Sequence, residues 1–148
     1  MLKTKIAVFV SGGGTNFEAL INAQENGKIP HGEIVLMVSS SKTAYALKRA
    51  ENHGIKSVVC SKKELGSQES FEEEILKNLE ENDIQLIVLA GFMSILSKEF
   101  TKKYENRIIN IHPSLIPSFC GEGFYGLHVH EAALKKGVKV TGATVHIV

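Results

Sequence analysis

The feature that most narrows what this chain can become is a rhythm of buried-looking runs. Lys5–Val10, Ile34–Ser39, Ser57–Cys60, Leu86–Ala90 and Ile108–His112 are short, rich in β-branched residues and apolar at nearly every position. A strand with one wet face alternates, whereas a strand covered by helices on both faces does not. Helical patterns stand between the runs. Asn16–Asn26 sets Phe17, Leu20 and Ile21 on one stripe and stops at Gly27, and Ala44–His53 stops at Gly54. Both glycines suit the residue just past a helix end. Ser70-Phe71-Glu72-Glu73 reads as a capping box for a helix through Ile75, Leu76 and Leu79. Ser97–Tyr104 and Val129–Lys136 read as shorter helices, and Val138–Val148 as a last strand. This order predicts a doubly wound, mostly parallel α/β sheet with helices on both faces, in a single domain over residues 1–148. Ligands of such sheets bind in loops at the carboxyl ends of the strands.

Charge and cysteine usage exclude several function classes. A formal net charge of +1 supplies no field for gathering nucleic acid or an anionic membrane. The pairs Lys62-Lys63, Lys102-Lys103 and Lys135-Lys136 read as wet faces of helices or turns. The run Ile6–Val10 is far shorter than the ~20 residues that span a bilayer and lacks the form of a signal peptide. The two cysteines, Cys60 and Cys120, form no CxxC, so reduced thiols in a cytoplasmic protein are expected. His128 and His130 would point about 200° apart on a helix, so they cannot chelate together, and no metal is expected.

Two loops carry the chemistry. Ser11-Gly12-Gly13-Gly14-Thr15-Asn16 joins the first strand to the first helix. Its glycines permit positive φ and close backbone approach, and the helix start behind them favours an anion. A tight turn capped by Thr15 or Asn16 is the structural alternative. A dinucleotide fingerprint needs glycine where Phe17 stands and an acid after the second strand, which ends instead in Ser39-Ser40-Ser41. A Walker loop needs a lysine that is absent here. A pocket for a small phosphorylated ligand remains. The second loop, Gly91–Leu96, is apolar without an obvious reason to face water. After it, Asn110 and His112 leave the same face of the fifth strand, which Pro113 ends. An amide can hold a developing oxyanion, and an imidazole can move a proton near neutral pH.

The segments NIHPSLIP, LAGFMSIL, SGGGTN and GVKVTGATVHIV stand here in the order and spacing of the glycinamide ribonucleotide formyltransferases of purine synthesis, and GEGFYGLHVHEAAL resembles the loop and helix after their catalytic strand. The resemblance covers essentially the whole chain and implies a Rossmann-like formyltransferase fold. It implies that Gly14, Thr15 and Asn16 hold the substrate phosphate, and that Met93, Ser94, Ile95 and Leu96, with Asn110, line the folate site. Asn110 and His112 would be the catalytic pair. Ser94 and Gln68 stand where the family usually has arginines, which alters the expected contacts to the folate tail. The implied reaction transfers a formyl group from 10-formyltetrahydrofolate, the cosubstrate, to the amine of 5-phosphoribosylglycinamide without a metal. The implied partners are these small molecules alone, with a monomer or homodimer as the assembly.

The family's third catalytic group is an aspartate in a turn just beyond the segment matching Val138–Val148, and Asp83 is the only aspartate here. The sequence therefore resembles a formyltransferase fold lacking its C-terminal part. A polypeptide of this length is expected to turn over poorly and to associate through its last strand. Methionyl-tRNA formyltransferase and formyltetrahydrofolate hydrolase share the Asn-x-His-Pro core, but a basic tRNA surface and an N-terminal regulatory domain are not visible. A non-catalytic phosphate-binding module is the alternative from outside the enzymes.

Overall fold

The computed structural model describes residues 2–112, 116, 127–137 and 143–148. Five parallel strands and one antiparallel strand form a single sheet. Their order is β3-β2-β1-β4-β5-β6, with β1 Thr4–Val10, β2 Gly32–Ser39, β3 Lys56–Val59, β4 Leu86–Leu89, β5 Ile108–His112 and β6 Thr144–Ile147. The helices are α1 Thr15–Glu25, α2 Ala46–Asn52, α3 Lys62–Leu65, α4 Gln68–Glu81, α5 Lys98–Lys103 and α6 Leu127–Lys136.

The expected doubly wound sheet is present, and its reversal point lies at β1. Both faces of that strand are sealed, so its run from Ile6 to Val10 is apolar throughout. Ile6, Val8 and Val10 pack with Phe17 and Ile21 of α1 and Ala46 and Ala50 of α2. Ala7 and Phe9 pack on the other face with Phe71, Ile75 and Leu79 of α4 and with Phe100 of α5. The connection after β1 thus runs to one layer and the connection after β4 to the other. In sheets of this kind such a reversal point is where a ligand crevice forms, at the carboxyl edge.

Several expected boundaries shift for identifiable reasons. The fourth helix begins at Gln68, and its cap is Ser67, whose Oγ accepts from Ser70 N at 3.1 Å; Ser70 is not the head of a capping box. Gly66 at φ +87 turns the chain so that Ser67 is already extended when the helix starts. Ser97 caps α5 in the same way, accepting from Phe100 N. The second helix starts at Ala46, two residues later than its pattern, because a turn from Ser41 to Thr43 intervenes. The third strand ends at Val59 and the fourth at Leu89, each one residue early. The last strand is confined to Thr144–Ile147 within the described residues, and residues 138–142 of the expected strand lie outside them. Cys120 also lies outside the described residues. No described helix is long and apolar enough to cross a membrane.

The helices flanking the first loop are tied by His53, at the end of α2. Its Nε2 lies 3.0 Å from Glu18 and its Nδ1 3.0 Å from Glu25, both on α1. Hydrogen bonds to Glu18, then to Glu25, raise the imidazole above its ordinary value. A raised folded value makes this tie fully stabilising below about pH 6.5 and removes it as pH climbs through the higher folded value. The melting temperature of the wild type should therefore exceed that of His53→Ala most below pH 6.5. Thermal scans of both proteins should show the gap closing toward pH 9.

Candidate active site

The glycine loop is built by fixing its carbonyls. Gly12 O accepts from Ala46 N at 3.2 Å, Gly13 O from Arg49 Nε at 2.7 Å, and Gly14 O from Glu18 N at 2.9 Å. The amides of Gly12, Gly13 and Gly14 donate to no described residue, and those of Thr15 and Asn16 open a helix, where amides have no intrahelical acceptor. Gly14 itself occupies the cap position at φ +76, with no side-chain cap, so neither Thr15 nor Asn16 serves that purpose. A Cβ at Gly14 would sit 2.6 Å from Ala46 Cβ. Phe17, where a dinucleotide fingerprint needs glycine, is wholly buried under the sheet. Backbone N–H groups without a described acceptor, at a helix start beside a guanidinium, have the chemistry that an anion would need. Arg49 was not flagged by sequence reasoning, and no motif would have flagged it. Its ring partner Tyr45, 5.0 Å away, helps hold it in place.

The apolar loop after β4 is held through its backbone. Ser11 Oγ accepts from Met93 N at 2.8 Å and lies 2.6 Å from Ser40 Oγ, so one hydroxyl joins the ends of β1 and β2 to this loop. Gln68 Nε2 donates to Ile95 O at 2.9 Å. Ser97 N and Oγ both donate to Glu72, at 2.6 and 2.5 Å. Phe92 and Leu96 pack on the α4/α5 side of the core, with Phe92 5.3 Å from the Phe9 ring in edge-to-face contact. That packing leaves Met93 and Ile95 in solvent, at 59% and 83% exposure, with Ser94 half-buried between them. The loop is apolar on both accounts: two residues anchor it and two present a surface. Burial pushes the Glu72 carboxyl up, but the hydrogen bonds from Ser97 and Gln68 outweigh it and leave the group below its ordinary value.

Asn110 and His112 stand on β5, beside the strand that leads into this loop. The strand order sets β4 between β1 and β5, so the ends of β1 and β5 are two strand spacings apart, roughly 10 Å. Phe9, Leu89 and Asn110 stand in register across the three strands. Ile108 belongs to the α4/α5 side of the core and Ile109 and Ile111 to the other. By alternation Asn110 and His112 share the face of Phe9 and the apolar loop. Both are half-buried, and His112 lies two residues, about 6–7 Å, past the level of Leu89.

A residue that the sequence reading did not assign to this site completes the pair. His146 stands opposite Asn110 on antiparallel β6, and its Nε2 lies 3.1 Å from Asn110 Nδ2. With the amide nitrogen as donor, Nε2 is the acceptor and the ring proton sits on Nδ1, which faces Ile147 O at 3.4 Å. The imidazole thereby fixes the amide orientation and leaves its second hydrogen available. The alternation Val145-His146-Ile147 contained this signal, but only an antiparallel register turns it toward Asn110.

Three other residues take no part. Asp83 lies before β4, at the opposite end of the sheet, 3.7 Å from Lys5. Cys60 is buried, and burial, with a smaller effect from Glu74, pushes its thiol up to about 11. His130 is exposed on α6, and no group of metal-binding side chains occurs among the described residues.

The chain has relatives among known proteins. Residues 4–148 match the family described as formyl transferase. The chain belongs to the formyl transferase family. It is 47% identical over 146 residues to the trifunctional purine biosynthetic protein adenosine-3 of Gallus gallus, covering 99% of this chain and 14% of that protein. The solved phosphoribosylglycinamide formyltransferase of Coxiella burnetii superposes with a TM-score of 0.87 at 40% identity, over 99% of this chain and 66% of its own. That of Brucella melitensis gives 0.87 at 42% identity, over 98% and 72%. This chain thus spans about a seventh of the avian protein and two thirds to three quarters of these solved formyl transferases.

Gly14→Ala should test the built loop directly. It is expected to destabilise the protein by about 2 kcal/mol or more, from left-handed strain and the Ala46 clash. Gly13→Ala, with open space around its Cβ, should stay within about 0.5 kcal/mol by urea unfolding.

Proposed function

We propose that this chain is the folate- and ribonucleotide-binding part of a phosphoribosylglycinamide formyltransferase, moving a formyl group from 10-formyltetrahydrofolate to the amine of 5-phosphoribosylglycinamide. The observation that supports the reading is that β1, β4 and β5, which lead into the glycine loop and the apolar loop and carry the Asn110/His112 pair, are consecutive neighbours in the sheet. The relatives named for this activity support it.

On this reading the amides of Gly14, Thr15 and Asn16 take the phosphate, with Arg49 adding positive charge. Met93, Ser94, Ile95 and Leu96 face the flat ring system of the folate beside Asn110. The substrate amine attacks the formyl carbon, forming a C–N bond and a tetrahedral oxyanion. The free hydrogen of the Asn110 amide and a protonated His112 stabilise that oxygen, a contribution of about 2.7–4 kcal/mol for a donor of this kind. Collapse breaks the bond to the folate nitrogen, which gains the proton that the amine has lost. No step draws on a metal. The alternative of a non-catalytic phosphate module finds less support, since it leaves the exposed Met93 and Ile95 unexplained.

Calorimetric titration with the ribonucleotide and with a reduced folate should give binding of each, and a folate analogue should compete with the second. Binding of the ribonucleotide alone would instead mark a phosphate module. Asn110→Ala is expected to lower kcat for formyl transfer by about 10²–10³ with little effect on ribonucleotide affinity.

A further inference from the structure

Among the described residues, the side chains hydrogen-bonded to the 91–97 segment come from Ser11 and from α4, and α4 carries no proposed substrate contact. The strongest of these ties is on α4. Glu72 is a carboxylate nine-tenths buried, at 9% exposure, yet it pairs with no described lysine or arginine. It spends both oxygens on neutral donors: Oε1 accepts from Ser97 Oγ, while Oε2 accepts from Ser97 N and from Gln68 Nε2 at 2.8 Å. Gln68, one helical turn before it, also reaches Ile95 O. A buried, unpaired charge is costly unless its lone pairs are satisfied. Here they are satisfied by the very residue at which the apolar loop becomes α5. Shifting Ser97 would leave the carboxylate stranded, so the loop's far end is held by the cost of releasing it.

We propose that Glu72 is a positioning residue for the folate site, with Gln68 as its second tie. By clamping Ser97 and Ile95, the two hold Met93 and Ile95 as an open apolar shelf instead of letting them collapse onto Phe92 and Leu96. The role rests on the proposed folate function of that loop. It also accounts for Gln68 standing where relatives are expected to carry arginine: its amide is occupied by the loop backbone rather than offered to the folate tail.

The test is Glu72→Gln, which keeps the size of the side chain but removes its charge and replaces one of its two accepting oxygens with an NH2 donor, together with the milder Gln68→Ala, which removes only the second tie. Reduced-folate affinity should fall roughly tenfold in the first and about threefold in the second. Ribonucleotide affinity, which on the proposed reading depends on the Gly14–Asn16 loop held by α1 and α2 and not by Glu72 or Gln68, should stay within about twofold. Hydrogen exchange should accelerate over residues 93–97 and remain unchanged over residues 12–16. Equal weakening of both ligands, or unaltered exchange over residues 93–97, would overturn the proposal. Should the wild type bind no reduced folate, the functional reading fails, and exchange confined to residues 93–97 then decides the positioning role by itself.

Discussion

The structure depends on one strand being buried on both faces. β1 lies between β2 and β4, so its neighbours' connections leave to opposite layers, the geometry that places a ligand crevice at the carboxyl edge of such sheets. Without that reversal the glycine loop and the apolar loop would lie over the same layer. The apolar character of Ile6–Val10 is therefore the cause of the crevice as well as of the core.

Apolar packing alone would not give the crevice a defined shape. Short hydroxyl and carboxylate ties supply it. Ser11 links three strand ends through one oxygen, Arg49 and Ala46 hold the glycine carbonyls, and Glu72 holds the exit of the second loop. The glycine loop is tied through its carbonyls and keeps its amides, while the apolar loop is tied through backbone groups of Met93, Ile95 and Ser97 and keeps the Met93 and Ile95 side chains exposed. The functional surface is what remains after the backbone has been satisfied from beneath.

The sheet was legible because its signal is collective. Five runs of buried residues survive an error of a residue or two at either end, and Ile108–His112 was read with its true bounds. The glycine loop and the Asn110/His112 pair were legible as well, because glycine triplets and polar residues in a core strand contradict their surroundings. The ties were not. Ser11, Gln68 and Glu72 are ordinary polar residues in sequence, and their meaning arises only when helix α4 is packed beside a loop that lies 25 residues from Glu72. The start of α4 was misplaced for a local reason: two serines three apart compete as caps, and a left-handed Gly66 decides for Ser67. His146 was missed because a periodic apolar strand does not disclose its direction, and an antiparallel partner alone sets it against Asn110.

The central claim is spatial: one crevice receives both the sugar phosphate and the folate, with Asn110 and His112 between them. A bisubstrate ligand that joins glycinamide ribonucleotide to a folate ring system through the formyl position measures this most directly. If both halves enter one crevice, it should bind about 10²–10⁴-fold more tightly than the better of its two halves. Affinity no greater than that of the better half would mean that the two loops do not share a cavity.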